Sequence, residues 1–113
     1  MTLNDLVTRL DLKVFAAGGG LDKPVLGGYA SDLLSDVIGH SRKGDLWVTM
    51  QVHPNIVAVA VPKDLAGIVL VNGREPAPET LEQAGREKVA LLGARGGAFD
   101  LAGRLYELGL KGS

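Results

Sequence analysis

The sequence predicts an α/β fold, a mainly parallel sheet with helices on its faces. Two observations support this class. From residue 32 onward, apolar segments with helical spacing alternate with short runs rich in Val, Leu and Ile, and this alternation is typical of parallel strands joined by crossover helices. Apolar residues form 46% of the chain and aromatic residues only 4%, so we expect a core of aliphatic side chains packed in layers.

Length and composition exclude several classes of protein. A chain of 113 residues suits one core, so residues 1–113 are predicted to form a single domain. The formal charge of −1 and the scattered basic residues argue against a nucleic-acid partner. The chain has no cysteine, which fits a reducing compartment. Without a signal-peptide pattern or an apolar stretch of ~20 residues, we expect a cytoplasmic protein that does not enter a membrane.

Residues 2–31 are predicted to form one helix and two strands. Thr2 is the expected cap of the helix. The apolar residues at helical spacing behind it are Leu3, Leu6, Val7 and Leu10. The strands are predicted over 12–16 and 25–31, on either side of a glycine-rich turn. The pattern leaves open whether these two strands pair with each other.

The rest of the chain alternates regularly between helices and strands. Asp32 is predicted to cap a helix carrying Leu33, Leu34, Val37 and Ile38. The predicted strands are 46–50, 67–71 and 89–92, with Trp47 as a core residue whose indole N–H finds a partner. Another helix is predicted over 55–61. The next begins at Pro78 and has Arg86 and Lys88 in its last turn. The last helix is predicted over 98–108, with one face formed by Phe99, Ala102, Leu105 and Tyr106. Residues 55–61 favour a strand by propensity, but a parallel crossover usually contains a helix.

Polar residues and glycines follow the carboxyl ends of the predicted strands, where open α/β sheets bind ligands. The candidate ligand-binding residues are Ser31, Asp32, Thr49, Gln51, His53, Asn72, Gly73, Gly96 and Gly97. Thr49, Gln51 and His53 could present a hydroxyl, an amide and an imidazole to one ligand; alternatively, His53 is only part of an extended link into the next helix. Gly96 and Gly97 could expose amides to an anion at a helix start, or form a simple loop and cap.

Motifs for catalysis or metal binding are not recognisable. Gly18-Gly19-Gly20 lacks the lysine and hydroxyl of a P-loop, so a flexible turn is the simpler interpretation. Ser31 and Ser35 are not in a Gly-x-Ser-x-Gly motif. Asp32 and Asp36 have no third ligand at a metal-binding spacing. His40 is interpreted as a solvated residue at a helix end. We therefore predict no catalytic residue, no metal and no cofactor.

Three segments resemble the DRTGG domain, a family similar in fold to the N-terminal domain of HPr kinase/phosphorylase. They are residues 27–37, 44–49 and 67–73, and the resemblance extends from Leu3 to Leu108. It implies a regulatory or accessory domain without chemistry of its own, found elsewhere beside CBS modules or on phosphotransacetylase-like enzymes. Many members carry Asp-Arg after the third strand and Thr-Gly-Gly after the fourth. Here these regions read Gln51-Val52-His53 and Asn72-Gly73-Arg74, which implies a more neutral ligand.

Two functions follow as hypotheses. In the first, the protein senses a small molecule, a nucleotide or another phosphorylated metabolite, at the carboxyl ends of its strands. In the second, it is an adaptor that needs no small ligand and binds an enzyme or a second copy of itself as a homodimer. The apolar composition and the edge strands expected near the amino terminus motivate the second hypothesis.

Overall fold

The structure, a computed structural model, describes residues 1–112. Five helices and five strands occur in this part of the chain. In chain order they are α1 (Leu3–Leu10), β1 (Lys13–Ala17), β2 (Gly27–Ala30), α2 (Leu34–His40), β3 (Asp45–Thr49), α3 (Asn55–Lys63), β4 (Gly67–Leu70), α4 (Pro78–Glu87), β5 (Ala90–Gly93) and α5 (Ala98–Glu107). None of these helices has the length and apolar character that crossing a membrane requires.

The five strands form one sheet in the order β1-β5-β4-β3-β2. Strands β2 to β5 are parallel, and β1 is antiparallel to β5. This confirms the predicted α/β class with a mainly parallel sheet. The two amino-terminal strands lie at opposite edges, so the open question of their pairing is answered: they do not pair. The carboxyl ends of the four parallel strands share one edge of the sheet, which we call the carboxyl edge, and the amino-terminal end of β1 joins it.

Apolar side chains cover both faces of the sheet. Successive residues of a strand point to opposite faces, so Leu46 and Val48 enter one cluster with α1 and α5, while Trp47 enters the other with α2, α3 and α4. Trp47 is fully buried, and its indole nitrogen donates a hydrogen bond of 2.8 Å to the carbonyl oxygen of Ser31. Both parts of the prediction for Trp47 are confirmed.

Helix α3 forms despite its β-branched sequence. Its buried residues Ile56, Val57, Val59 and Ala60 contribute to the cluster around Trp47, so tertiary packing overrides the strand propensity of this segment. The helix continues through Pro62 to Lys63 and closes at Asp64, which has a left-handed backbone conformation. The predicted end at residue 61 was two residues short, because a proline in the last turn does not prevent one more residue from joining the helix.

The predicted cap of α2 is wrong. The residue at the cap position is Leu33, and no side chain caps the helix. The Asp32 carboxylate instead accepts hydrogen bonds from β3 and the residue after it. Val37 is buried as expected, but Leu33 and Ile38 are exposed.

The face predicted for α5 from Phe99, Ala102, Leu105 and Tyr106 differs in part from the face that is buried. Leu101 and Leu105, four residues apart, face the sheet and are buried, whereas Phe99 is 91% and Tyr106 57% exposed. Two leucines on adjacent turns cover the space between the helix and the sheet. The aromatic residues are consequently left on the outer side.

Candidate functional site

The predicted site residues all lie in segments at the carboxyl edge. They form two groups, one after β2 and β3 and the other after β4 and β5, with His53 beside the first. The first group comprises Ser31, Asp32, Thr49 and Gln51, and the second comprises Asn72, Gly73, Gly96 and Gly97. The parallel strands account for this placement, because their carboxyl ends meet at one edge.

Three residues of the first group, Asp32, Thr49 and Gln51, form a hydrogen-bond network with Met50. We call these four residues the Asp32 network. One carboxylate oxygen of Asp32 accepts from the Thr49 hydroxyl at 2.8 Å and from the Met50 backbone N–H at 2.7 Å. The Gln51 amide donates to the Asp32 carbonyl oxygen at 3.0 Å, and the Gln51 backbone N–H donates to the Thr49 hydroxyl at 3.2 Å. Thr49 is buried. These groups join the β2–α2 loop to the end of β3.

The side chains of Ser31 and His53 accept hydrogen bonds from backbone N–H groups next to this network. The Ser31 hydroxyl accepts from the backbone N–H of Leu33 at 3.2 Å. His53 is exposed, and its Nδ1 accepts from the backbone N–H of Asn55 at 3.1 Å, at the start of α3. The Nε2 side of the imidazole is the part of His53 that can contact a ligand.

The second group is held together by backbone hydrogen bonds between two loops. The N–H of Asn72 donates to the Gly96 carbonyl oxygen at 2.8 Å, and the N–H of Gly73 donates to the Ala94 carbonyl oxygen at 2.9 Å. Asn72 and Gly73 both have positive φ, 60° and 66°, which turns the chain sharply after β4. The Asn72 side-chain amide also contacts the Met50 sulfur at 3.2 Å, and this contact joins the two groups.

Two adjoining cavities open at the carboxyl edge, and we call them together the edge groove. The larger, about 510 Å³, lies between the end of α1, the loop after β5 and α5; Gly96 and Gly97 line it. The smaller, about 260 Å³, lies between the start of β1 and the loops after β4 and β5; Gly73 lines it. Both include Asp11, Leu12, Ala94 and Arg95. Ligand pockets commonly measure about 300–1,000 Å³, so the groove has a suitable size. The Asp32 network borders neither cavity.

Sequence reasoning missed three side chains of this groove. Arg74 and Arg95 belong to the loops after β4 and β5, and Phe99, predicted only to share a helix face with Leu105, lines the larger cavity. Within residues 1–112, neither arginine has a carboxylate oxygen within 4.0 Å. The sequence does carry a signal for the two arginines, because each lies next to a glycine in the loop that follows a parallel strand.

Asp32 and Asp36 have different hydrogen-bond partners. Asp36 contacts the Tyr29 hydroxyl at 2.8 Å and the exposed His40 ring at 3.1 Å. The Tyr29 hydrogen bond lowers the pKa of the Asp36 carboxyl. In the part of the chain that the structure describes, no three His, Asp or Glu side chains are grouped so that they could hold a metal ion.

Comparison with known proteins gives a match in fold. No family model and no curated protein matches the sequence. Among solved structures, the chain is similar to the regulatory region of a pyrophosphatase from Clostridium perfringens, which contains CBS and DRTGG domains and was crystallised with its activator, diadenosine tetraphosphate. The TM-score is 0.68 at 13% identity, over 92% of this chain and 45% of the other. The fold resembles that regulatory region. The chain spans less than half of that chain's length, and at this identity the likeness concerns the fold alone.

Proposed function

We propose that this protein is a DRTGG-like regulatory domain without catalytic activity, a single domain that binds a nucleotide or another phosphorylated metabolite at its carboxyl edge. The observation that carries the proposal is the edge groove, which opens where open α/β sheets bind ligands. Support also comes from the pyrophosphatase region of similar fold, which is regulatory and takes a nucleotide as activator. A cytoplasmic location belongs to this proposal, since the chain has no cysteine.

In this proposal the two groups of edge residues have different roles. Hydrogen bonds already occupy much of the Asp32 network, so it mainly holds the loops in place, with Ser31 beside it. Direct contacts come from the loops of Gly73 and Gly96-Gly97, which line the groove. Exposed side chains elsewhere on the carboxyl edge add to these contacts: Asn72, Gln51 and His53.

The experiment that tests the proposal is a thermal-shift screen against nucleotides, dinucleotides and sugar phosphates. A ligand at 100 times its dissociation constant stabilises the folded state by about 2.7 kcal/mol, which raises the melting temperature of a domain of this size by about 10 °C. A shift for one chemical class supports the proposal and identifies the class. A flat response to every class contradicts it.

A double variant then tests the exposed side chains that follow β3. Gln51→Ala with His53→Ala should weaken binding without loss of fold, because both side chains are exposed. The matched control is Gln83→Ala with His40→Ala, which removes the same residue types from helices α4 and α2. If both double variants bind the compound found in the screen with equal affinity, Gln51 and His53 do not contribute to the site.

A specific observation favours a second candidate, the adaptor. Phe99 and Tyr106 lie exposed on the outer side of α5, and apolar groups of this kind often mark protein contacts. Light scattering at increasing protein concentration tests self-association, and pull-down tests for an enzyme partner. A monomer at all concentrations, without a captured partner, contradicts this candidate.

A further inference from the structure

We infer that the edge groove binds a nucleotide in one orientation, with its phosphates against Arg74 and Arg95 and its base against Phe99. The inference rests on the proposed function and specifies which part of the carboxyl edge holds the ligand. It adds the side chains of Arg74, Arg95 and Phe99 to the contacts that the loops after β4 and β5 make.

The charges along the groove define its two ends. Three basic and two acidic residues line the smaller cavity: Lys13, Arg74, Arg95, Asp11 and Glu75. Glu75 is already paired with Lys13 at 3.7 Å. In the larger cavity, two basic residues meet three acidic ones: Arg95, Arg104, Asp11, Asp100 and Glu107. An anion is therefore favoured at the smaller cavity, and a neutral group that donates hydrogen bonds is favoured at the larger.

The two arginines belong to loops that the backbone holds side by side. Gly73, next to Arg74, donates to the carbonyl oxygen of Ala94, next to Arg95, at 2.9 Å. Both arginines line the smaller cavity. A guanidinium group can bind a phosphate through two parallel hydrogen bonds to two of its oxygens. Neither Arg74 nor Arg95 has a carboxylate partner among residues 1–112. They can therefore hold a phosphate group without first breaking an ion pair.

Phe99 and the acidic residues make the larger cavity suitable for a nucleoside. The ring is 91% exposed, which leaves its apolar surface available for a flat base to stack on. The carboxylates of Asp100 and Glu107 can accept hydrogen bonds from ribose hydroxyls or from an amino group of the base. Arg95 lines both cavities, so one ligand can extend from the phosphate end to the base end.

Calorimetric titration of the full chain tests this orientation with three probes: ATP, adenosine and tripolyphosphate. Arg74→Gln with Arg95→Gln should weaken ATP and tripolyphosphate at least tenfold and leave adenosine unchanged. Phe99→Ala should weaken ATP and adenosine and leave tripolyphosphate unchanged. These side chains are exposed, so all variants should fold; a melting curve of each verifies it.

The matched control is Arg42→Gln with Arg86→Gln, two exposed arginines away from the groove, and it should bind ATP as the wild-type protein does. Unchanged ATP affinity in the Arg74/Arg95 variant would overturn the inference. So would a thermal-shift screen in which sugar phosphates bind the wild-type protein and nucleotides do not. Both results leave the proposed function intact. If no phosphorylated compound binds the wild-type protein, the proposed function fails as well. If Phe99→Ala changes only the oligomeric state, the base contact is wrong and Phe99 belongs to a protein interface.

Discussion

The carboxylate of Asp32 accepts a hydrogen bond of 2.8 Å from the hydroxyl of Thr49. Asp32 precedes α2, and Thr49 is the buried last residue of β3. The same carboxylate oxygen accepts from the backbone N–H of Met50 at 2.7 Å. One side chain thus satisfies a buried hydroxyl and the first backbone N–H after the strand. Asp32 connects two loops of the carboxyl edge instead of capping a helix.

Replacing Asp32 with alanine should lower the free energy of unfolding by about 1–3 kcal/mol, since the Thr49 hydroxyl and the Met50 N–H lose a charged acceptor. Urea denaturation measures the change. Asp22→Ala, in an exposed loop, is the control and should stay within about 0.5 kcal/mol of the wild-type protein. Equal effects of the two substitutions would show that the Asp32 hydrogen bonds add nothing to stability.

Two glycines should respond to alanine in opposite directions. Gly85 lies inside α4, and a Cβ there meets no atom within 4 Å, so Gly85→Ala should stabilise by about 0.5–1 kcal/mol. Gly18 has φ of 65°, and its Cβ would overlap the backbone nitrogen of Ala90. Gly18→Ala should therefore destabilise by about 2 kcal/mol or more. Thermal unfolding compares the variants; a stable Gly18→Ala protein would mean that this turn can rearrange freely.

The two sides of α5 should differ sharply in their contribution to stability. Leu105 is 4% exposed, and its replacement by alanine should cost about 2–4 kcal/mol through lost burial and a cavity. Phe99 is 91% exposed, so Phe99→Ala should change stability by less than about 0.5 kcal/mol. Chemical denaturation of both variants is the measurement. A large loss of stability for Phe99→Ala would show that this side chain packs against the core and contradict its exposed position.

Tyr29→Phe should raise the pKa of Asp36. The Tyr29 hydroxyl donates a hydrogen bond to the ionised carboxylate, and this is the largest cause of the lowered pKa of Asp36. A carboxyl whose pKa is lower in the folded state stabilises the fold above its unfolded pKa of about 3.9, and this contribution is lost as pH falls through the folded value. Carbon-13 NMR titration of Asp36 measures the shift. Tyr106→Phe, at an exposed phenol on α5, should leave the Asp36 titration unchanged; an unchanged pKa in Tyr29→Phe as well would contradict the assigned cause.

Local patterns predicted much of the fold. The alternation of helices and strands from residue 32 onward was visible because helical and strand periodicities repeat within a few residues. The burial of Trp47 followed from its place in an apolar strand. The position of β1, antiparallel at the edge next to β5, was not visible, because strand pairing joins residues far apart in the chain.

The sequence by itself determined the α/β class and the segments that reach the carboxyl edge, since short-range periodicity and the geometry of parallel strands specify both. Tertiary structure alone decided what each side chain does there. Asp32 accepts a hydrogen bond from Thr49 and does not cap its own helix. Phe99 is exposed because Leu101 and Leu105 already occupy the contact between α5 and the sheet. The physical reason is that a side chain binds the partner that packing brings nearest, and that partner lies in a distant segment of the chain.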